Sequence, residues 1–287
     1  MAGTIDLHIH TTASDGSDSP LQLLEKLRQA GIRVFSVTDH DTIDGVLALE
    51  GKIPEGMTFL RGVEFTCLSP AGKCHILGYG YDPHHPALLE ALEEGRRLRR
   101  QKMQGRLENL RIDHGIVLTE AELAQINSHS SPGKPHLGQV LLERGLAPDL
   151  DTAIHTYIRD LPGRDRIEAA AAISAIEQAG GISVWAHPLG GEGEKRLTAE
   201  KFENQLNTLL SRGIRGMECW YSRYGMEEVR FLEETARRAG LIITGGSDYH
   251  GTAKKDLALG QLNTGGVAWE ADAACIQKRW CVSRETT

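Results

Sequence analysis

Two apolar periodicities alternate along the chain, and their order predicts its architecture. A strand-like run from Thr4 to His10 (TIDLHIH) gives way to helical spacing over Pro20 to Ala30, where Leu21, Leu24 and Leu27 recur on one side. Gly31 stops that helix, and Ile32 to Thr38 is the next predicted strand. Thr58 to Phe65 and Lys73 to Tyr81 read as further strands, the second rich in aromatic and β-branched residues. From about Pro86 to Leu161 the pattern changes to charged helices: LEEGRRLRRQKMQGRLENLR, TEAELAQI behind a Thr119 cap, PHLGQVLLERGL and LDTAIHTYI. Alternation then resumes with helix Ile167 to Ala179, strand Ile182 to Ala186, helix Ala199 to Ser211, strand Gly216 to Trp220, helix Glu227 to Ala239 and strand Leu241 to Gly245.

Short strands separated by helices favour a parallel sheet or barrel. The predicted organisation is one α/β core, residues 1–85 and 166–266, interrupted by a helical, substrate-binding insertion over 86–165 and followed by a tail over 267–287. The tail, with Trp269, Trp280 and Cys281, carries no clear functional signal. At 287 residues, 40% hydrophobic and 25% charged, the chain is long enough for such a core and too apolar for a disordered one.

The formal net charge of −7 removes any general attraction for nucleic acid, so a phosphate-binding surface has to be local. Cys67, Cys74, Cys219, Cys275 and Cys281 lack both CxxC spacing and scaffold density, which predicts reduced, mostly buried thiols. No basic leader and no run near the ~20 apolar residues of a membrane span is present, so a soluble cytoplasmic protein is expected, with no membrane and no obligate protein partner.

Candidate chemistry gathers where the strands end. His8 and His10 stand two apart on a strand, so both rings face one side while Ile9 faces the core. Asp6 shares that face, as a carboxylate behind the ligands or as a strand closure. Asp15 lies in the polar turn SDGSD, where an acidic residue also serves simply as a turn former. His40 follows an apolar strand between Asp39 and Asp41, which can orient its ring or accept a proton. Glu64 ends TFLRGVEF, where an unpaired buried carboxylate would be costly and a position between two cations would offset the cost. His75 opens HILGY and can be read as a ligand or as a hydrogen-bonded core histidine. His187 ends ISVWAH before a strand-stopping proline, and Asp248 and His250 follow IITGG, whose glycines allow close backbone approach. Imidazoles and carboxylates without thiolates suit zinc, iron or manganese, and such ions held ~3.5 to 4 Å apart could activate water for phosphoester hydrolysis. His84, His85, His114, His129 and His155 lack ligand spacing.

The segments DLHIHTTASDG, VTDHDTIDG, GVEFT, HILGY, WAHP and GGSDYHG resemble, in order, the successive motifs of the PHP (polymerase and histidinol phosphatase) family over nearly all of residues 4 to 251. The resemblance implies a distorted (β/α)7 barrel and three divalent ions; hard carboxylate ligands with an anionic substrate favour manganese over iron or zinc. It implies His8, His10, Glu64 and Asp248 on one ion, Glu64, His75 and His187 on a second, and Asp15, His40 and His250 on a third. These nine residues are also the implied catalytic set.

The insertion resembles that of a subgroup acting on nucleoside 3′,5′-bisphosphates or on RNA 5′ ends. That subgroup often carries GRPH where this chain has Gly133-Lys134-Pro135-His136, so a lysine here replaces a bidentate arginine. The implied reaction is removal of the 3′-phosphate of a nucleoside 3′,5′-bisphosphate, the partner being a small phosphorylated nucleotide or phosphoribose, or a short RNA end. Cyclic phosphodiesterase action on a phosphoribosyl cyclic phosphate is the alternative. The insertion disfavours histidinol phosphate, and a non-catalytic module like those attached to DNA polymerases is the alternative of another class.

Ser131, Lys134 and His136 are candidates to grip a second phosphate, or else form a plain turn before a helix. Arg223 in WYSRYG is a candidate phosphate clamp or an ordinary surface arginine, with Tyr221 or Tyr224 available to stack on a base. The run Arg96, Arg97, Arg99, Arg100, Lys102 and Arg106 reads as a solvated helix face paired to Glu90, Glu93 and Glu94 rather than an RNA guide.

Overall fold

In the computed structural model, residues 5–159, 166–191 and 195–269 are described. Thr4, Leu161, Cys275, Trp280 and Cys281 lie outside them. The first block runs β1 (Ile5–Asp6), α1 (Pro20–Gln29), β2 (Val34–Val37), α2 (Asp44–Leu49), β3 (Thr58–Ser69) and β4 (Gly72–Tyr79). Helices α3 (Pro86–His114), α4 (Glu120–Asn127), α5 (Lys134–Glu143) and α6 (Leu150–Tyr157) follow. The second block is β5 (Ile167–Glu168), α7 (Ala169–Gln178), β6 (Ile182–Trp185), α8 (Ala199–Ser211), β7 (Gly216–Tyr221), α9 (Met226–Arg238) and β8 (Ile242–Gly246).

Local signals explain the boundaries. Ser19 and Thr119 cap α1 and α4 through capping boxes, and Gly115 ends α3 in the left-handed conformation. The sequence pattern did not disclose α2 or β5, and it assigned Ile167 and Glu168 to a helix, whereas they pair with Cys67 and Leu68 of β3.

The sheet order is β1-β2-β3-β4-β6-β7-β8, with β5 added beside β3. β8 returns to β1 through Leu7 N to Gly245 O (3.1 Å), Asp248 N to His8 O (2.8 Å) and His10 N to Tyr249 O (2.9 Å), so the sheet nearly closes into a barrel. This is the distorted (β/α)7 barrel expected. Its distortion is β4, which runs antiparallel to both β3 and β6 while the other neighbours are parallel. The turn Ser69-Pro-Ala-Gly72 joins β3 and β4 as a hairpin, where a helix would be needed for parallel strands.

One core fills the barrel and its helices. A second, separate cluster holds Met103, Leu110, Ile126, Leu137, Val140, Leu141 and Ala153. α3 joins the two, since Leu88, Leu92 and Leu98 belong to the first and Met103 and Leu110 to the second. Its side chains between those cores therefore face the space beside the strand ends. No helix among the described residues is long and apolar enough to cross a membrane.

Candidate metal centre and substrate cleft

All nine expected ligands converge at one end of the barrel, and Glu64 is their centre. Its Oε2 lies 3.2 Å from His8 Nε2, 3.2 Å from His10 Nε2 and 3.1 Å from His40 Nδ1, while its Oε1 lies 2.8 Å from His75 Nδ1 and 3.2 Å from His187 Nε2. Asp248 Oδ1 is 3.3 Å from His10 Nε2 and 3.4 Å from His250 Nδ1, and Asp15 Oδ1 is 3.3 Å from His250 Nε2. Ligand atoms fall within 4.8 Å of one another in three groups: His10, Asp15, His40 and His250; His8, His10 and Asp248; His40, Glu64 and His75. These overlap the three implied sets in part: His10 and His40 each reach into two groups, Glu64 is grouped with His40 and His75 alone, and His187 is in none of the three.

The cluster has the chemistry of a site built for cations. His8 Nε2, His10 Nε2, His40 Nδ1 and Asp15 Oδ1 are buried without hydrogen bonds, although carboxylates and imidazoles face them. Buried polar atoms are normally satisfied, and an oxygen and nitrogen donor set of this kind fits divalent ions. Burial holds the rings of His40, His75 and His250 below the usual histidine range, keeping them as neutral donors. Burial also opposes charge on His8 and His10, yet the Glu218 and Glu64 carboxylates raise His8 well above that range, and Asp248 with Glu64 lifts His10 to about 9. Those protons sit on rings whose free nitrogens a cation would occupy instead.

Backbone geometry supports the same point. Asp41 (φ 52°), His187 (φ 29°) and Asp248 (φ 56°) are the positive-φ residues other than glycine among those described, and all three are at the site. Such conformations cost about 1–3 kcal/mol each and persist where the surroundings hold them. Here the holds are Asp41 N to Glu64 O (3.0 Å), His187 N to Glu218 Oε2 (2.7 Å) and Asp248 N to His8 O (2.8 Å). Gly246 completes the packing, because a Cβ there would lie 2.4 Å from the His8 backbone nitrogen. The close approach expected of that glycine pair is thus made to His8.

Asp39 and Asp41 act differently from expectation, whereas Asp6 takes the strand-closing role that was one of its two readings. Asp39 accepts from Thr11 N (2.8 Å), Thr11 Oγ1 (2.7 Å) and Ser14 Oγ (2.6 Å), fixing the turn before Asp15 rather than the His40 ring. Asp41 accepts from Thr66 N (3.0 Å) and pairs with Arg99. Asp6 ties β1 to the chain after β8 by accepting from Ser247 N, Ser247 Oγ and Gly260 N, and burial raises its carboxyl to about 6.

A cleft of about 490 Å³ opens on this cluster, lined by Asp15, His40, His75 and His250 together with Thr66, Arg99, Lys102, Arg106, Lys134, Arg166 and Lys254. The basic run of α3 therefore divides by helical face. Arg96, Arg97 and Arg100 pair with Glu93 and Glu94, as a solvated face should, whereas Arg99, Lys102 and Arg106 turn to the cleft. These three span about 10 Å of cleft wall at 1.5 Å rise per residue. A molecule with net charge −7 thus carries a locally cationic wall beside its ligand cluster.

The four substrate candidates separate. Lys134 lines the cleft. Ser131 is fully buried with its hydroxyl lacking a hydrogen bond, and the next turn brings Gly133 against Arg99 and Asp15. His136 Nδ1 accepts from Gly133 N at 2.9 Å, and its ring stacks on His129 with centroids 3.8 Å apart, which caps α5. Arg223 pairs with Asp256. Tyr221 and Tyr224 are buried, Tyr221 donating to Asp248 (3.0 Å) and Tyr224 accepting from Leu189 N (2.8 Å), so neither ring is presented to a base.

Glu218, Arg166 and Lys254 were missed. Glu218 holds the His8 ring, Arg166 Nη1 is 3.3 Å from His75 Nε2, and Lys254 is 2.8 Å from Asp248 Oδ2. Glu218 had a readable signal, a lone carboxylate inside the apolar strand GMECWY, which is the argument that singled out Glu64. Cys67, Cys74 and Cys219 are buried free thiols, as expected, and burial pushes Cys74 up to about 12.

No protein-family model matches the chain. It is 28% identical over 255 residues to a 3′,5′-nucleoside bisphosphate phosphatase of Chromobacterium violaceum, covering 86% of this chain and 87% of the relative. It is 30% identical over 259 residues to a phosphoribosyl 1,2-cyclic phosphate 1,2-diphosphodiesterase of Eggerthella lenta, covering 86% and 94% respectively. A solved metal-dependent phosphoesterase structure from Bifidobacterium adolescentis superposes with a TM-score of 0.76 at 26% identity, over 91% of this chain and 93% of that one. The chain belongs to the PHP family of metal-dependent phosphoesterases, and is a hydrolase acting on phosphoester bonds.

Proposed function

We propose that this enzyme removes the 3′-phosphate of nucleoside 3′,5′-bisphosphates, using three divalent ions, manganese in preference to iron or zinc. The observation that carries the reading is the cationic cleft wall contiguous with the ligand cluster: one phosphate at the cluster leaves Arg99, Lys102, Arg106 and Lys134 to meet a second. The similarity to the Chromobacterium violaceum phosphatase supports it. Divalent ions at the cluster would lower the pKa of water and offset charge on both the entering and leaving oxygens.

The chain's own residues supply the rest. Glu64 remains ionised between five imidazoles, its pKa held low by His40, His8 and His75 against the cost of burial. Tyr221 and Lys254 fix Asp248 Oδ2 and leave Oδ1 toward His10 and His250. Arg166, beside His75 on the cleft wall, is positioned to take phosphate oxygens. Soluble cytoplasmic action without an obligate protein partner accords with a small phosphorylated substrate.

A second reading, cyclic phosphodiesterase action on a phosphoribosyl cyclic phosphate, is favoured by the 30% identity to the Eggerthella lenta enzyme. A panel of 3′,5′-bisphosphonucleotides, ribose cyclic phosphates and 5′-phosphorylated short RNAs separates the readings. The highest kcat/KM is expected on bisphosphonucleotides with 5′-monophosphate as product. Exclusive opening of the cyclic ester would replace the first reading by the second.

A further inference from the structure

Glu218 is completely buried in β7, flanked by Met217 and Cys219, and both of its oxygens are engaged by candidate ligands. Oε1 lies 2.9 Å from His8 Nδ1, and Oε2 accepts from the His187 backbone N at 2.7 Å. A carboxylate at Nδ1 requires a proton on that nitrogen, which leaves His8 Nε2 as the ligating atom. Nε2 is the atom that lacks a hydrogen bond and faces Glu64 Oε2 and Asp248 Oδ1. At His187 the same carboxylate holds the amide of a residue with φ 29°, whose ring Nε2 faces Glu64 Oε1. One side chain therefore orients a ligand on each side of the Glu64 carboxylate.

We propose that Glu218 is a positioning residue that couples the two ion subsites divided by Glu64, so that His8 and His187 gain or lose their ligating geometry together. The inference rests on the metal-centre reading above. Glu218→Gln leaves one oxygen for two N–H donors: its amide nitrogen opposes one of them, and the side-chain shift that relieves this clash loosens the other contact as well. Ala removes both contacts.

The test is Mn2+ binding to chelator-stripped protein by equilibrium dialysis and calorimetry, for wild type, Glu218→Gln and Glu218→Ala, with thermal unfolding of each metal-free protein as control. Wild type is expected to take up Mn2+ stoichiometrically. Glu218→Gln is expected to weaken at least two ions, each on the order of 10–100-fold, the range for loss of a ligand-orienting partner. Its kcat should recover at excess Mn2+ with substrate KM unchanged. Glu218→Ala should weaken binding further, and if that variant does not fold, Glu218→Gln carries the test. Wild-type Mn2+ affinity in Glu218→Gln, with only the metal-free melting temperature lowered, would overturn the proposal, as would weakening of a single ion. A wild-type protein that takes up no Mn2+ would overturn the metal reading itself, and this inference with it.

Discussion

The ring of His187 lies 3.2 Å from Glu64 Oε1 although 123 residues separate the two in the chain. The contact joins the end of β6 to β3, and β4, paired antiparallel to both, lies between them. Helices α3, α5 and α6, which lie between β4 and β6 in the chain, contribute residues to the cleft wall beside this contact.

On the proposed metal reading His187 is one of the ligands, so His187→Ala should reduce turnover by at least about 100-fold, more than loss of an orienting group costs. Phosphate release and metal content measured on the same preparation check this. Retained turnover with only a lowered melting temperature would assign His187 a structural role.

The α3 face predicts a split between binding and chemistry. Lys102→Ala and Lys134→Ala should each raise KM for a 3′,5′-bisphosphonucleotide by about 10- to 100-fold, as loss of a charge-assisted hydrogen bond of about 1.5–3 kcal/mol would. Their kcat on a 3′-monophosphate should stay near wild type. Steady-state kinetics on the two substrates reads the difference, and equal effects on both would place these lysines away from the second phosphate.

The motifs were legible because, apart from Asp15 in its polar turn, each candidate ligand stands in or beside a strand-length apolar run, where a histidine or carboxylate stands out against its neighbours. Strand direction was not read: the run KCHILGY fits a parallel or an antiparallel neighbour equally, and the short Ser69-Pro-Ala-Gly72 connection, which favours a hairpin, went unused. The division of the α3 arginines was hidden for a related reason. Helical spacing places Arg99, Lys102 and Arg106 on one face, but only the packing of α3 across both cores turns that face toward the cleft and the candidate ligands that line it. A place after a strand end does not fix side-chain direction, and the pairing of Arg223 with Asp256, 33 residues downstream, was likewise not legible.

His136 gives a pH prediction. Burial pushes its ring down to about 4 from an ordinary 6.5, so the folded protein holds it neutral while the unfolded chain protonates. Below pH 6.5 the unfolded state binds the extra proton, and stability should fall progressively as pH drops from about 6.5 to about 4. The contribution is complete above that window. Denaturant unfolding across this range should show a shallower acid loss in His136→Gln than in wild type, and parallel curves would remove His136 as the source.

The most direct measurement is turnover of a 3′,5′-bisphosphonucleotide by chelator-stripped protein titrated with Mn2+, with bound metal counted at each point. Negligible phosphate release is expected without metal, then a rise that follows occupancy of the candidate ligand cluster, with a 5′-monophosphate as product. Full turnover by metal-free protein, or metal occupancy without any phosphoester hydrolysis, would contradict the proposed function.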